Sequence, residues 1–315
     1  MGLLTFDRAT VDSAGVFLIS ELERLDQKLH MPLSSVTWSR DITLREDVSM
    51  GDELSSFTQT QFAAAGGPSP NGKNWIGKNT TAIAGVSIDI GKTATPLTIW
   101  GMELGWTIPE LESAMKLGRP VDQQKFAAMN LKYQMDIDEQ VYIGDGQLGV
   151  AGLLNAAGVT ATNAVTGNWA TATPDQILSD INVFLNAIWA ATGYAVCPSE
   201  LRLPPVKFGL LVSRLVSTAG NISILEYIKT NCVAYSVNGR PLNIQPLKWC
   251  TGRGAGGTDR AVAYTNENDR LRFPLVPMQR TPMEFRGINQ LTTYFSKIGS
   301  VEFVYPETVG YLDNI

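Results

Sequence analysis

The chain has 315 residues, 44% of them hydrophobic and 17% charged, and a net charge of −5. That length supports one large domain or two to three subdomains, and the apolar content excludes a disordered chain. The acidic balance, with no Lys/Arg run longer than two, argues against a general phosphate-binding surface. No apolar stretch approaches the roughly 20 residues of a membrane span, and Asp7, Arg8 and Asp12 interrupt any secretory leader. So low a charged fraction with so much apolar content fits extensive protein–protein contact, or simply a large core.

Leu18, Leu22, Leu25 and Leu29 recur at helical spacing, so residues 12–30 are expected to form an amphipathic helix capped by Asp12 or Ser13 and ended by Pro32. It precedes any recognisable core, which makes it an arm that docks on its own domain or on a neighbour. Residues 41–50 alternate, with Ile42, Leu44, Val48 and Met50 on one side, and predict a half-exposed strand. Val86, Ile88 and Ile90 begin a second alternating run. Between them lie roughly 35 polar, glycine-rich residues, too long for an ordinary connection, so the pair is expected to make a projecting hairpin. Phe57, Phe62, Trp75 and Ile76 sit inside that polar segment and are candidate contact residues, as are the four leucines of the arm.

A short helix is expected over 109–116, capped by Thr107, then a break at Gly118-Arg119-Pro120. A long helix follows over 121–143. Phe126, Met129, Tyr133, Ile137 and Val141 form its apolar face, and Gly144 supplies a left-handed stop. A glycine-spaced loop then leads to Leu153-Leu154. Thr173-Pro174-Asp175 opens a helix to about Ala191, with Ile177, Ile181, Leu185 and Ile188 on its buried stripe. Helices are expected at 205–216 and 222–230, and strands at 242–249, 260–265, 271–276, 284–297 and 300–312.

Catalytic signatures are lacking. The single histidine, His30, lies on the charged arm, so a Ser-His-Asp or Cys-His arrangement has no convincing base. Cys197, Cys232 and Cys250 are an odd, widely spaced set that fits free buried thiols in a reducing compartment. Gly252–Gly257 matches Gly-x-Gly-x-x-Gly in letters, but a strand pattern follows where a dinucleotide fingerprint needs a helix. Asp136, Asp138 and Glu139 on the long helix are expected to form a solvated face. No metal or other cofactor is expected.

The order of elements carries a resemblance. Glu110-Leu111, Ala114, Gly118, Lys125, Ala127-Ala128, Gly144-Asp145 and Gly152-Leu153-Leu154-Asn155 fall along the long helix and its flanks. With Ser20–Asp26 near the start and Ile298-Gly299 and Tyr305-Pro306-Glu307 near the end, nearly the whole chain resembles tailed-bacteriophage major capsid proteins of the Hong Kong 97 fold. Shell-forming encapsulins share that fold. The resemblance implies an α+β chain with an N-terminal arm at 1–40 and an extended β-hairpin loop at 41–104, its tip at about 51–80. It implies a peripheral domain of 105–167 and 271–315 with a spine helix at about 121–143, and an axial domain at 168–270.

It further implies a structural protein without catalysis. Its hexamers and pentamers would close into an icosahedral head around double-stranded DNA, located in the virion and, during assembly, in the host cytoplasm. Its partners would be further copies of itself, with portal, scaffolding and decoration proteins as additional ones, and no membrane. Because the arm starts almost at Met1, any scaffold is expected to be a separate protein or absent. An encapsulin-like compartment is the alternative; a hydrolase using carboxylates of the 168–270 region is a more distant one.

Overall fold

A computed structural model describes residues 34–64, 74, 78, 85–117, 121–217 and 221–315. The expected arm helix, with Leu18, Leu22, Leu25, Leu29 and His30, lies outside the described residues, as do Trp75, Ile76 and the break at 118–120.

The described chain opens on a single helical turn, α1 (Trp38–Asp41), followed by the short strand β1 (Thr43–Arg45). The strand expected over 41–50 is therefore mostly absent. Trp38, Asp41 and Ile42 are instead buried anchors. The hairpin is built one segment later, from β2 (Leu54–Ala64) and β3 (Val86–Pro96), paired antiparallel over their full length. Strand β2 reads Leu-Ser-Ser-Phe-Thr-Gln-Thr-Gln-Phe-Ala-Ala, without apolar alternation. Half-buried strands alternate because one face meets a core; a two-stranded ribbon largely lacks that constraint.

Strand β4 (Thr98–Thr107) leads into α2 (Ile108–Leu117), where the Glu110 N–H donates to Thr107 Oγ1 at 3.2 Å as predicted. The long helix is α3 (Val121–Tyr142). Met129, Tyr133, Ile137 and Val141 are buried along it, but Phe126 is not: it meets Tyr294 at 5.5 Å beside an open cavity and is 43% exposed. Gly144 takes φ +73°, and a Cβ there would lie 2.3 Å from the Val150 carbonyl oxygen. That close approach lets the chain double back through β5 (Gly144–Asp145) and β6 (Val150–Ala151). The Leu153 and Leu154 N–H groups then donate to the Val141 and Tyr142 carbonyls at 2.8 and 3.0 Å. The return satisfies carbonyls at the helix end and drives both leucines into the core.

After β7 (Thr160–Asn163) comes α4 (Pro174–Ala191), whose N-terminus is a capping box between Thr173 and Gln176. Its expected stripe is buried. Strand β8 (Glu200–Leu203) was not anticipated. Helices α5 (Pro205–Ser213), α6 (Ile224–Asn231) and α7 (Val233–Asn238) follow; the first is shorter than predicted and the last is additional. Strand β9 (Asn243–Pro246) ends at a proline and gives way to a 3₁₀ turn at Lys248–Cys250, so the run expected over 242–249 is only half strand. The rest comprises β10 (Arg260–Tyr264), β11 (Leu271–Pro274), β12 (Gln279–Arg280), β13 (Glu284–Arg286), β14 (Asn289–Ile298), β15 (Glu302–Phe303) and β16 (Gly310–Asp313). The expected run 284–297 is thus a hairpin turning at Gly287, φ +66°.

Two sheets organise these elements. In one, β14 lies between β4, paired from Asn289↔Thr107 to Ile298↔Thr98, and the short strands β12 and β13. Helix α3 lies on this sheet through Trp100, Tyr133 and Met129, and Tyr133 shares a hydrogen bond with Ser296 at 2.8 Å. The other sheet is five-stranded, in the order β7-β16-β10-β8-β9. Helix α4 covers one face of it, and a Cβ on Gly310 of β16 would lie 2.7 Å from Ile188. A three-stranded sheet, β1-β11-β15, joins the hairpin to the body.

Candidate assembly interface

Register decides which way the hairpin faces. Ser55, Phe57 and Gln59 oppose Thr95, Thr93 and Gly91, and near the base this face meets the chain's own body. Gln59 donates to the Val304 carbonyl at 2.6 Å, and Phe57 is half-buried against a cavity of about 340 Å³ shared with Val150, Ala156 and Phe303. The alternate positions form the other face. There Leu54, Val86, Ile88 and Ile90 are 59, 66, 58 and 65% exposed. Covering them would stabilise by about 1–2 kcal/mol each, a row that a lone chain leaves in water. Phe62 stands opposite Ile88 in the ladder.

A buried carboxylate holds the base of this hairpin. Glu302 is shielded from solvent and accepts from Arg272 Nε at 2.7 Å, from Arg45 Nη1 at 3.2 Å and from Ser55 Oγ. Arg45 also donates to the Ser56 carbonyl at 3.0 Å and pairs with Asp47 at 2.6 Å. The Arg45 hydrogen bond holds the Asp47 carboxyl below its usual range. Lys297 closes the base by donating to the Asp52 carbonyl at 2.6 Å. Two cations and a hydroxyl around one carboxylate satisfy its acceptor sites, which is the condition for burying a charge.

A second network joins three parts of the fold. Asp41 and Arg202 are both fully buried and pair at 2.9 Å. Arg202 also reaches Glu200 at 2.7 Å and the Asn243 carbonyl at 2.9 Å. Tyr142 at the end of α3 donates to Asp41 at 2.5 Å, and Tyr264 donates to the Asp41 carbonyl at 2.7 Å. Burial works against the Arg202 charge, but Tyr264, Asp41 and Glu200 outweigh it and hold the guanidinium protonated. Burial, then the Asp41 charge, pushes the Tyr142 phenol up.

Asp138 corrects the expectation of a solvated acidic face on α3. It is fully buried and accepts from the Thr37 and Trp38 N–H groups at 2.8 and 3.0 Å, and from the Trp249 indole at 2.7 Å. Asp136 accepts from the Trp100 indole at 2.9 Å. These carboxylates bind elements to the spine. Periodicity could not reveal this, because the donors lie about 100 residues away in α1 and the 3₁₀ turn.

No cluster of three or more His, Cys, Asp or Glu suited to a metal occurs among the described residues. All three cysteines are free and buried, and burial pushes the Cys197 thiol up to about 11. Gly252–Gly257 forms a turn that enters β10, not the start of a helix. Exposed apolar residues also occur between α4 and α6, including Tyr194, Val206, Val212, Leu215 and Ile222. Sequence reasoning missed them because each belongs to a short helix or loop with a mixed pattern.

Comparison with known proteins agrees with this architecture. The capsid of Myoviridae phage XM1 superposes over 100% of both chains with a TM-score of 0.77 and 16% identity. The protein of Mycobacterium phage Bobi covers 98% of this chain and 99% of its own, with TM-score 0.62 and 12% identity. A virus-like particle from Pyrococcus furiosus covers 97% and 99%, with TM-score 0.52 and 12% identity. No curated protein matches. These likenesses give an α+β fold of the Hong Kong 97 type. The family model described as major capsid protein matches residues 72–315, and the chain belongs to that family.

Proposed function

We propose that this capsid protein assembles through hexamers and pentamers into an icosahedral phage head enclosing double-stranded DNA. The outward apolar row of the hairpin, Leu54, Val86, Ile88 and Ile90, carries this reading. Val86, Ile88 and Ile90 lie toward the distal end of the hairpin, and Leu54 lies at its base, which is fixed by ionic contacts. The hairpin reaches a neighbouring copy and buries this row there; Phe62, Trp75 and Ile76 are further expected contacts, whereas Phe57 faces its own chain. The arm leucines Leu18, Leu22, Leu25 and Leu29 supply a second contact. Head-to-tail contacts of this kind close into rings, and many modest contacts become stable together when a shell closes.

The protein acts as a structural component of the virion, without catalysis, and assembles in the host cytoplasm. Portal, scaffolding and decoration proteins are its expected additional partners. Negative-stain electron microscopy of the chain expressed alone tests the reading. Shells, tubes or capsomer rings are expected, and Ile88→Lys with Ile90→Lys should leave folded, unassembled protein. Monodisperse monomers that stay so on co-expression with the adjoining phage genes would overturn it.

A further inference from the structure

A second groove is lined by none of the hairpin's residues. Strand β7 is an edge of the five-stranded sheet, paired on one side only, to β16. Its other side is open, and Thr160, Ala161 and Asn163 are exposed. Edge strands with free N–H and C=O groups are templates for a further strand. Helix α4 lies over β16, where Gly310 admits Ile188, so its flank overhangs β7.

Three cavities run in series, starting beneath that overhang. One of about 50 Å³ lies between Asp180, Phe184 and Ala187 and the end of β7. The next, about 220 Å³, shares Thr162, Phe184 and Ala187 with it and continues to Ala191 and Glu307. The third, about 410 Å³, also meets Glu307 but lies past the end of α4 and touches no residue of β7; it extends to Thr192 and Asp269. Phe184 and Ile188 of the helix form the inner wall of the central cavity, and the short side chains of Ala187 and Ala191 leave space beside them. From Asp180 to Ala191 it is about 17 Å long, room for about five extended residues.

Charge marks one end. Asp269 and Glu307 make no ion pair among the described residues; Arg270, which lines the same cavity, is paired with Glu267. Asp180 at the far end is already occupied, by Thr166 and by the Trp169 indole at 3.1 Å.

We infer that this groove binds an extended, cationic segment of a partner protein, added as a strand to β7 with its basic end against Asp269 and Glu307. Main-chain hydrogen bonds to the edge would hold it. Its alternate side chains, of medium apolar size, would fill the cavities under α4, the combination by which edge-plus-helix grooves recognise peptides. A second copy of this chain suits the site less well. The sheet's other edge, β9, reads Asn-Ile-Gln-Pro, with no cation and a proline that cannot donate.

The test uses the full chain, as capsomers or particles, with two fluorescein-labelled peptides, Thr-Val-Thr-Val-Thr-Arg-Lys and Lys-Arg-Thr-Val-Thr-Val-Thr. Between them they cover antiparallel and parallel addition. Fluorescence anisotropy should show one of them binding. Asp269→Lys with Glu307→Lys should weaken binding at least tenfold, as should Ala187→Trp; all three positions are exposed, so the fold is expected to tolerate them. Hydrogen exchange at 160–163 should slow on binding. No binding by either peptide, equal binding of versions with Glu-Asp in place of the basic pair, or indifference to Ala187→Trp would overturn the inference. So would particles without peptide in which 160–163 already exchange slowly, since a neighbouring copy would then fill the groove.

Discussion

Replacing Arg202 by Met removes the centre of the network that joins α1, α3 and the five-stranded sheet. The side chain is wholly buried and bonded to Asp41, Glu200 and two backbone carbonyls, and it lies 5.6 Å from the Tyr264 ring. Met fills similar volume, so little of the loss comes from a cavity. The loss comes from Asp41, fully buried and left with only Arg40 as an ionic partner. Breaking a buried pair from one side costs about 3–5 kcal/mol, against a total stability of about 5–15 kcal/mol for a folded domain. Arg40 is partly exposed and retains some compensation, so the lower half of that range applies. Urea unfolding of capsomers, followed by tryptophan fluorescence, should show the midpoint falling by about 1 M for a slope near 3 kcal/mol/M. Adding Asp41→Asn removes the stranded charge and should recover part of the loss, a non-additivity of at least about 1 kcal/mol. A midpoint within about 0.2 M of the parent, or strictly additive effects, would refute the claim that this pair holds the three parts together.

Other predictions follow from single features. Gly144→Ala forces a Cβ onto the Val150 carbonyl at a left-handed position and should cost upwards of about 2 kcal/mol in the same unfolding assay. The three thiols should fail to react with a disulfide reagent at pH 8 until urea unfolds the chain, because they are buried and that of Cys197 sits near 11. Asp47 lies below its ordinary value when folded, so its contribution to the hairpin base is present above its unfolded value. It is lost as pH falls through the folded value, and hydrogen exchange in β2 should rise there in the parent but change less in Asp47→Asn. Glu302→Ala should leave Arg45 and Arg272 facing each other without their carboxylate and raise exchange in β2 and β3 at neutral pH.

The sequence was most informative where local physics and the final fold agree. The stripe of α3 from Met129 to Val141, the stop at Gly144 and the capped start of α4 depend on spacing and on single residues, and all could be read directly. The hairpin could be recognised as a feature but not placed. Its first strand is polar on both faces, and the alternating 41–50 segment offered a more conventional pattern. Phe126 followed the period of its helix, but an open cavity separates helix and sheet there and leaves it partly uncovered. Asp138 and Asp136 looked like surface because nothing nearby in sequence reveals Trp249, Trp38 or Trp100 as partners. The groove beside β7 had no signature at all, since it arises from alanines on one helix meeting an unpaired edge.

The place of β16 in the middle of the five-stranded sheet has a consequence for synthesis. Residues 310–313 separate β7 from β10, so that sheet cannot close until a strand about 150 residues beyond β7 has been made. The β4–β14 ladder imposes the same delay on the other sheet. A growing chain that has not yet made β14 and β16 therefore lacks a finished surface for association. The order of strands along the chain holds back shell building while both sheets are incomplete.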